Sequence, residues 1–141
     1  TLQTSFNLVD QRARYGLFDQ ARSNGVGIIG KRPIANATWG KAADADGGAQ
    51  LTGTNLERFK RARAMLEMGP IDGTTQDPIA LALGFVLAHE DVHTAILGTR
   101  SPEHMLANIA AVGTALPVAG EIIEELSRRF DAVGREWRAI D

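Results

Sequence analysis

Apolar residues recur along this chain in two rhythms, short continuous runs and a helical three-to-four spacing, and the two alternate. Leu2 to Val9 reads as a strand, and Asp10 is placed to cap a helix over about Gln11 to Ser23, with Ala13, Leu17, Phe18 and Ala21 in helical register. Asn24-Gly25 ends that helix, since both residues tolerate positive φ. Val26 to Gly30 then forms a second strand, of the continuous apolar kind that a parallel sheet buries on both faces. From Pro33 to Gly53 the pattern loosens, and Gly40 to Gly53 reads as a long mobile loop of small and polar residues.

Thr54-Asn55-Leu56-Glu57 fits a capping box and starts a helix to about Met68, which Gly69-Pro70 stops. Asp77-Pro78 opens the next helix with an acidic cap and proline in the first turn. Ile79, Leu81, Ala82, Leu83, Phe85, Val86 and Leu87 make it apolar nearly all round, the mark of a buried helix. His93 to Gly98 is the third strand, Ser101-Pro102-Glu103 starts a helix to about Val112, and an amphipathic helix spans roughly Val118 to Val133 ahead of a tail bearing Trp137. Strands alternating with helices predict an α/β fold with a parallel sheet. Three such units make a partial (β/α)8 TIM barrel, whose complete form runs to about 250 residues. Three strands cannot close, so the open edges call for the rest of a barrel or for self-association. The chain also begins at Thr1 inside a strand-like run, which reads as a fragment, a single incomplete domain over 1–141.

Composition narrows the function. The 141 residues carry a formal net charge of −2, whereas a nucleic-acid binder usually shows a basic surface. Cysteine is absent, which removes disulfides and thiolate metal sites and suits a reducing cytoplasm. No apolar run approaches the ~18 residues of a membrane span. His89, His93 and His104 lack metal-ligand spacing, and the glycines do not form the G-x-G-x-x-G turn of a Rossmann site. Trp39 is placed either to line a pocket or to pack under the loop.

The strand ends carry a resemblance. Leu2-Gln3-Thr4-Ser5-Phe6-Asn7-Leu8, Gly25 to Ile34, Asp77 to Leu87, and Thr94 to His104 continuing to Asn108 together resemble the C-terminal part of aldo/keto reductases: barrel strands six to eight and their helices. The match covers nearly the whole chain in the family's order and spacing. It implies an NADP(H)-dependent oxidoreductase acting on aldehydes, ketones or sugar-like carbonyls, with a small-molecule substrate. This chain would supply the cofactor grip and none of the catalytic residues. The family's tyrosine, lysine, histidine and aspartate belong to the first half of its barrel, and no segment here matches them. Tyr15, the only tyrosine, sits on a predicted helix and is assigned to packing or surface.

The same resemblance implies a cofactor-binding set of Gln3, Lys31, Arg32, Pro33, Ile34, Gly98, Thr99, Arg100, Ser101, His104 and Asn108. Gln3 would meet the nicotinamide carboxamide, for which an amide that both donates and accepts is suited. Lys31 stands where many relatives place a stacking tyrosine; its stem could cover the ring and its charge could meet phosphate. Gly98 to Ser101 precede a helix N-terminus, where free N–H groups and hydroxyls favour phosphate. Arg100 would take the 2′-phosphate and Asn108 the adenine, while His104 replaces the commoner Arg or Gln. A plainer reading makes Ser101 an N-cap and Arg100 a surface charge. A rival function is a non-catalytic NADP(H)-binding regulatory or interaction module of the same fold; a different phosphate-binding barrel is a third.

Overall fold

The computed structural model describes residues 1–115 and 117–140. Three strands, β1 (Leu2–Ser5), β2 (Ile28–Lys31) and β3 (Val92–Ile96), form one parallel sheet in the order β1-β2-β3. Six helices surround the connections: α1 (Leu17–Ser23), α2 (Thr38–Ala43), α3 (Gly53–Leu66), α4 (Pro78–Leu87), α5 (Pro102–Ala115) and α6 (Gly120–Val133).

Strand pairing sorts the sheet into two faces. Leu2, Thr4, Ile28, Gly30, Val92 and Ala95 share one face by register and alternation. That face meets the helices: a Cβ on Gly30 would lie 3.6 Å from a Val86 methyl of α4. Gln3, Ser5, Ile29, Lys31, Thr94 and Ile96 share the other, where Gln3, Thr94 and Ile96 are exposed. The strand edges of β1 and β3 have no further strand beside them among the described residues.

The core lies between sheet and helices. Phe6 packs against Phe18 and Phe85 with ring centroids 4.9 and 5.6 Å apart, and Val9, Met65, Val86, Leu126 and Phe130 complete it. Ala80 to Val86 of α4 are all buried, as its unbroken apolar pattern predicts. The interior also holds Arg129 of α6. Its guanidinium donates to the carbonyls of Met65, Gly69 and Pro70 at 2.7–3.0 Å, supplying donors that the end of α3 and its following turn lack.

Several local expectations are corrected. The strand expected over Leu2 to Val9 ends at Ser5, because Asn7 and Asp10 exchange backbone bonds and close a tight turn. The single helix expected from Gln11 to Ser23 is a 3-10 turn at Arg12–Arg14 followed by α1. Gly16 breaks it by adopting φ +98°, and Asp10 pairs with Arg12 at 2.7 Å rather than capping. Within the expected loop, Thr38–Ala43 is helical, and residues 44–51 form successive turns closed by their own backbone bonds. Close packing fixes one of those turns, since a Cβ on Gly47 would lie 2.0 Å from the Lys41 carbonyl oxygen. The capping box does not form: Glu57 bonds Arg61 at 3.0 Å, and α3 starts at Gly53 with no side-chain cap.

Candidate functional site

Parallel strands bring their C-terminal ends, Ser5, Lys31 and Ile96, to one side of the sheet, where the connections to the helices gather. The connection after β2 is unusual. Arg32, Ala35, Asn36 and Ala37 all take positive φ, between 46° and 60°. Each such non-glycine residue costs about 1–3 kcal/mol and persists only where surroundings over-determine it. Here Ala35 N–H donates to the Arg32 carbonyl at 3.0 Å and Ala37 N–H to that of Ile34 at 2.8 Å. The Thr38 hydroxyl donates to the Ala35 carbonyl, and the Asn36 amide donates to Asn55 at 2.7 Å.

This strained segment forms one wall of a cleft of about 310 Å³. Ile34 and Ala37 come from it, Asp77 and Ile79 from the start of α4, Gly98 and Thr99 from the exit of β3, and His104, Ala107, Asn108 and Ala111 from one face of α5. The spacing 104, 107, 108, 111 is one helical stripe, so α5 presents it as a unit. Its N-terminus is built locally. The Ser101 hydroxyl accepts from His104 N–H at 3.2 Å and donates to Glu103 at 2.6 Å, while the Thr99 hydroxyl accepts from Ser101 N–H at 3.2 Å. The Ser101 hydroxyl and a backbone N–H hold the Glu103 carboxyl below the usual carboxylate range. On the facing wall Asp77 caps α4, its Oδ1 accepting from Ile79 and Ala80 N–H at 2.8 and 3.2 Å.

Of the residues expected to hold a cofactor, the cleft therefore brings together Ile34, Gly98, Thr99, His104 and Asn108. Arg100 is exposed and Ser101 half-buried, both beside the cleft but outside its lining. Gln3 and Lys31 stand apart on the open sheet face. Pro33 is buried, and Arg32 turns toward the Ser5 hydroxyl at 3.5 Å and the Ile140 carbonyl at 3.3 Å. Ala37, Asp77, Ile79, Ala107 and Ala111 were not expected. The sequence signal of Asp77 and Ile79 speaks of a helix start, and only the packing of α4 on α5 brings that start to the cleft.

A cationic group lies beyond the cleft. Arg58 and Arg61 of α3 are buried; Arg58 reaches Thr54 and Asn55, both at 3.3 Å, and Arg61 reaches Glu57 and the Arg138 carbonyl. Burial, then the charge of Arg32, lowers the Arg58 pKa, with Asp10 opposing. Trp39 is buried and borders a separate cavity with Gly40 and Pro78.

His89, His93 and Tyr15 each bond within the fold, away from the cleft. His89 stands edge-on to Phe6 and Phe85, each at 4.7 Å, and its Nδ1 donates to the Phe85 carbonyl at 2.8 Å. Burial keeps its pKa below the ordinary histidine value despite that bond. His93 accepts the Ile28 N–H at 3.2 Å beside the register irregularity between β2 and β3. Tyr15 donates to Asp131, and burial first, then that bond, pushes its pKa up to about 12. No cluster of three or more His, Cys, Asp or Glu able to hold a metal occurs among the described residues. Nor is any described helix long and apolar enough to cross a membrane.

Three parallel strands alternating with helices, with a mixed polar and apolar cleft at the strand exits, define the chain as an α/β protein. Sequence comparison gives the family. The profile of the Aldo/keto reductase family matches residues 1–122, and the chain belongs to that family. No curated protein sequence matches the chain. Among solved structures, the holo form of the aldo-keto reductase AKR11C1 from Bacillus halodurans superposes with a TM-score of 0.69 at 23% identity, over 90% of this chain and 41% of that one. The apo form of the same protein superposes with the same score and identity over 42% of its length. The chain thus spans about two fifths of the solved relatives it matches.

Proposed function

We propose that this chain is the C-terminal portion of an aldo/keto reductase barrel, supplying the cofactor-binding side of an NADP(H)-dependent reductase of aldehydes and ketones. The observation that carries the reading is the cleft itself, in which five residues expected to grip the cofactor converge from two separate stretches of sequence. Its chemistry fits the adenosine end of a dinucleotide. Asn108 offers an amide that can both donate to and accept from a purine edge. Thr99 offers a hydroxyl, and Ile34, Ile79, Ala107 and Ala111 offer apolar surface to a flat base. Gln3 and Lys31, on the open sheet face, are available to the nicotinamide end.

Bound there, the reduced nicotinamide would supply the hydride. The chain's own residues bind and orient. The only tyrosine is tied to Asp131 through its hydroxyl, and the reading assigns the proton donor to other strands of a complete barrel. Those strands, or a second copy of this chain, would meet the free edges of β1 and β3 and cover the open face. A reducing cytoplasm suits the cysteine-free sequence.

The test is NADPH binding, followed by the cofactor's own fluorescence, with and without Asn108→Ala. Saturable binding weakened about tenfold or more by that change supports the reading; such a loss equals ~1.4 kcal/mol, near one good hydrogen bond to a buried base. Absence of binding, or displacement of NADPH by simple phosphosugars at comparable concentration, would refute it. Binding without carbonyl turnover, once the remaining strands are supplied, would turn the reading into a non-catalytic nucleotide-binding module.

A further inference from the structure

Among the described residues three arginines are buried, and two of them are ion-paired: Arg129 with Glu125 and Arg61 with Glu57. Arg58 of α3 is the exception. It is 5% exposed, and no carboxylate among the described residues pairs with it. Its Nη1 donates to the Thr54 hydroxyl and the Asn55 side-chain oxygen, both at 3.3 Å, while its Nε and Nη2 donate to no described group. The neighbouring charges offer no remedy. Arg32 and Arg61 repel it, and Asp10, the carboxylate that acts on it, is already held on both oxygens by Arg12 at 2.7 Å. Burial opposes its charge more than any of these. A guanidinium cannot shed its proton to escape, so an unpaired one under cover creates a standing demand for an anion.

Its place gives that demand a meaning. Arg32 directly follows β2 and reaches Ser5, the last residue of β1, and Asp10 closes the turn after β1. Arg58, within the field of both, stands at the strand exits, the end at which Lys31 lies, and outside the lining of the cleft. In (β/α)8 folds the reacting groups assemble at that end. Thr54 and Asn55 hold Nη1, and Asn55 also accepts from Asn36 of the strained segment after β2, so the fork is set before a ligand arrives. The unused Nε–Nη2 edge is planar, and its two N–H groups match the two oxygens of one carboxylate.

We propose that Arg58 takes a carboxylate of the ligand that reacts at this end, so that the preferred substrate is an aldehyde or ketone carrying a carboxylate group. As a statement about substrate, the inference rests on the reductase reading and deepens it. Arg58 determines specificity by holding the anionic end, and the carbonyl is left to other groups.

The test is calorimetry of the full chain, with and without NADPH, using 4-carboxybenzaldehyde and its methyl ester, which differ in charge at one end. The wild type should bind the acid about tenfold or more tighter than the ester, as a hydrogen-bonded charge pair predicts. Arg58→Gln should erase the difference, and Arg58→Lys, a point charge without the fork, should keep part of it. Lys60→Gln, which removes an exposed cation from the same helix, should leave it unchanged. Circular dichroism checks that each variant folds, and the wild-type comparison of acid with ester stands without any variant. Equal binding of acid and ester by the wild type, or a preference that survives in Arg58→Gln, overturns the proposal. Exclusion of the acid by NADPH, or its displacement by inorganic phosphate and not by benzoate, also overturns it, since the fork would then belong to a phosphate. Failure of NADPH to bind while the acid stays preferred refutes the cofactor reading and leaves the carboxylate subsite standing.

Discussion

Removing the Arg129 guanidinium should cost this fold more than any change in the cleft. The side chain is 2% exposed and bonds three backbone carbonyls, those of Met65, Gly69 and Pro70, besides Glu125 at 2.7 Å. Arg129→Met keeps most of the apolar stem and deletes every donor, leaving three carbonyls facing a side chain that cannot pair with them. A buried acceptor left alone costs about 1–3 kcal/mol, and breaking a buried charged network by removing one partner costs about 3–5. Glu125 retains Arg128 at 2.7 Å, which limits the loss on that side. The expected destabilisation is therefore about 3–5 kcal/mol, a large share of the ~5–15 that holds a domain together. Urea unfolding followed by circular dichroism reads it as a lower midpoint at unchanged slope. Arg129→Lys, with one ammonium in place of a planar fork, should fall between the two. A methionine variant within about 1 kcal/mol of wild type would refute the view that this side chain caps α3 from α6.

Three further outcomes follow from the same contacts. Glu125 is held down to about 2, first by its bonds from Arg128 and then from Arg129, so the stability it lends is fully present above pH ~4.5 and lost as pH falls toward 2; Glu125→Gln should abolish that acid-limb component in unfolding measured between pH 2 and 5, and an unchanged limb would contradict it. Tyr15, raised to about 12, contributes stability that is present below pH ~10 and lost between there and 12; its ultraviolet titration should have a midpoint near 12 that falls only partway in Asp131→Asn, because burial is the larger cause, and a wild-type midpoint at the ordinary value would disprove the contact. Asp77→Ala should cost about 1 kcal/mol in unfolding and Asp77→Ser much less, since serine can still cap α4; equal losses would show that the cap is not what Asp77 contributes.

What the sequence made legible is what is local. Asp77-Pro78 carries its capping geometry within four residues, and Gly98 to Asn108 form a contiguous run whose helical stripe falls on one face. The break at Gly16 was hidden because the apolar spacing of Ala13, Leu17, Phe18 and Ala21 continues across it, although a positive-φ residue interrupts the backbone. Helix α2 was hidden for the opposite reason: Thr38–Ala43 is short, with little apolar periodicity, and follows left-handed residues that propensity would not place there. Asp77 could not be assigned to the cleft because a loop and a strand intervene between the start of α4 and α5. Its place depends on helix packing, to which neither segment's pattern points.

The open face of the sheet has a consequence for selectivity in assembly. Free edges invite any extended chain to add, but Gln3, Ser5, Lys31 and Thr94 share that face with Ile29 and Ile96. An indiscriminate apolar segment laid across it would strand an amide, two hydroxyls and an ammonium, each without the water it had before. Backbone pairing alone would not recover that cost. A neighbour that brought partners for these polar groups would fit the face better than a wholly apolar one.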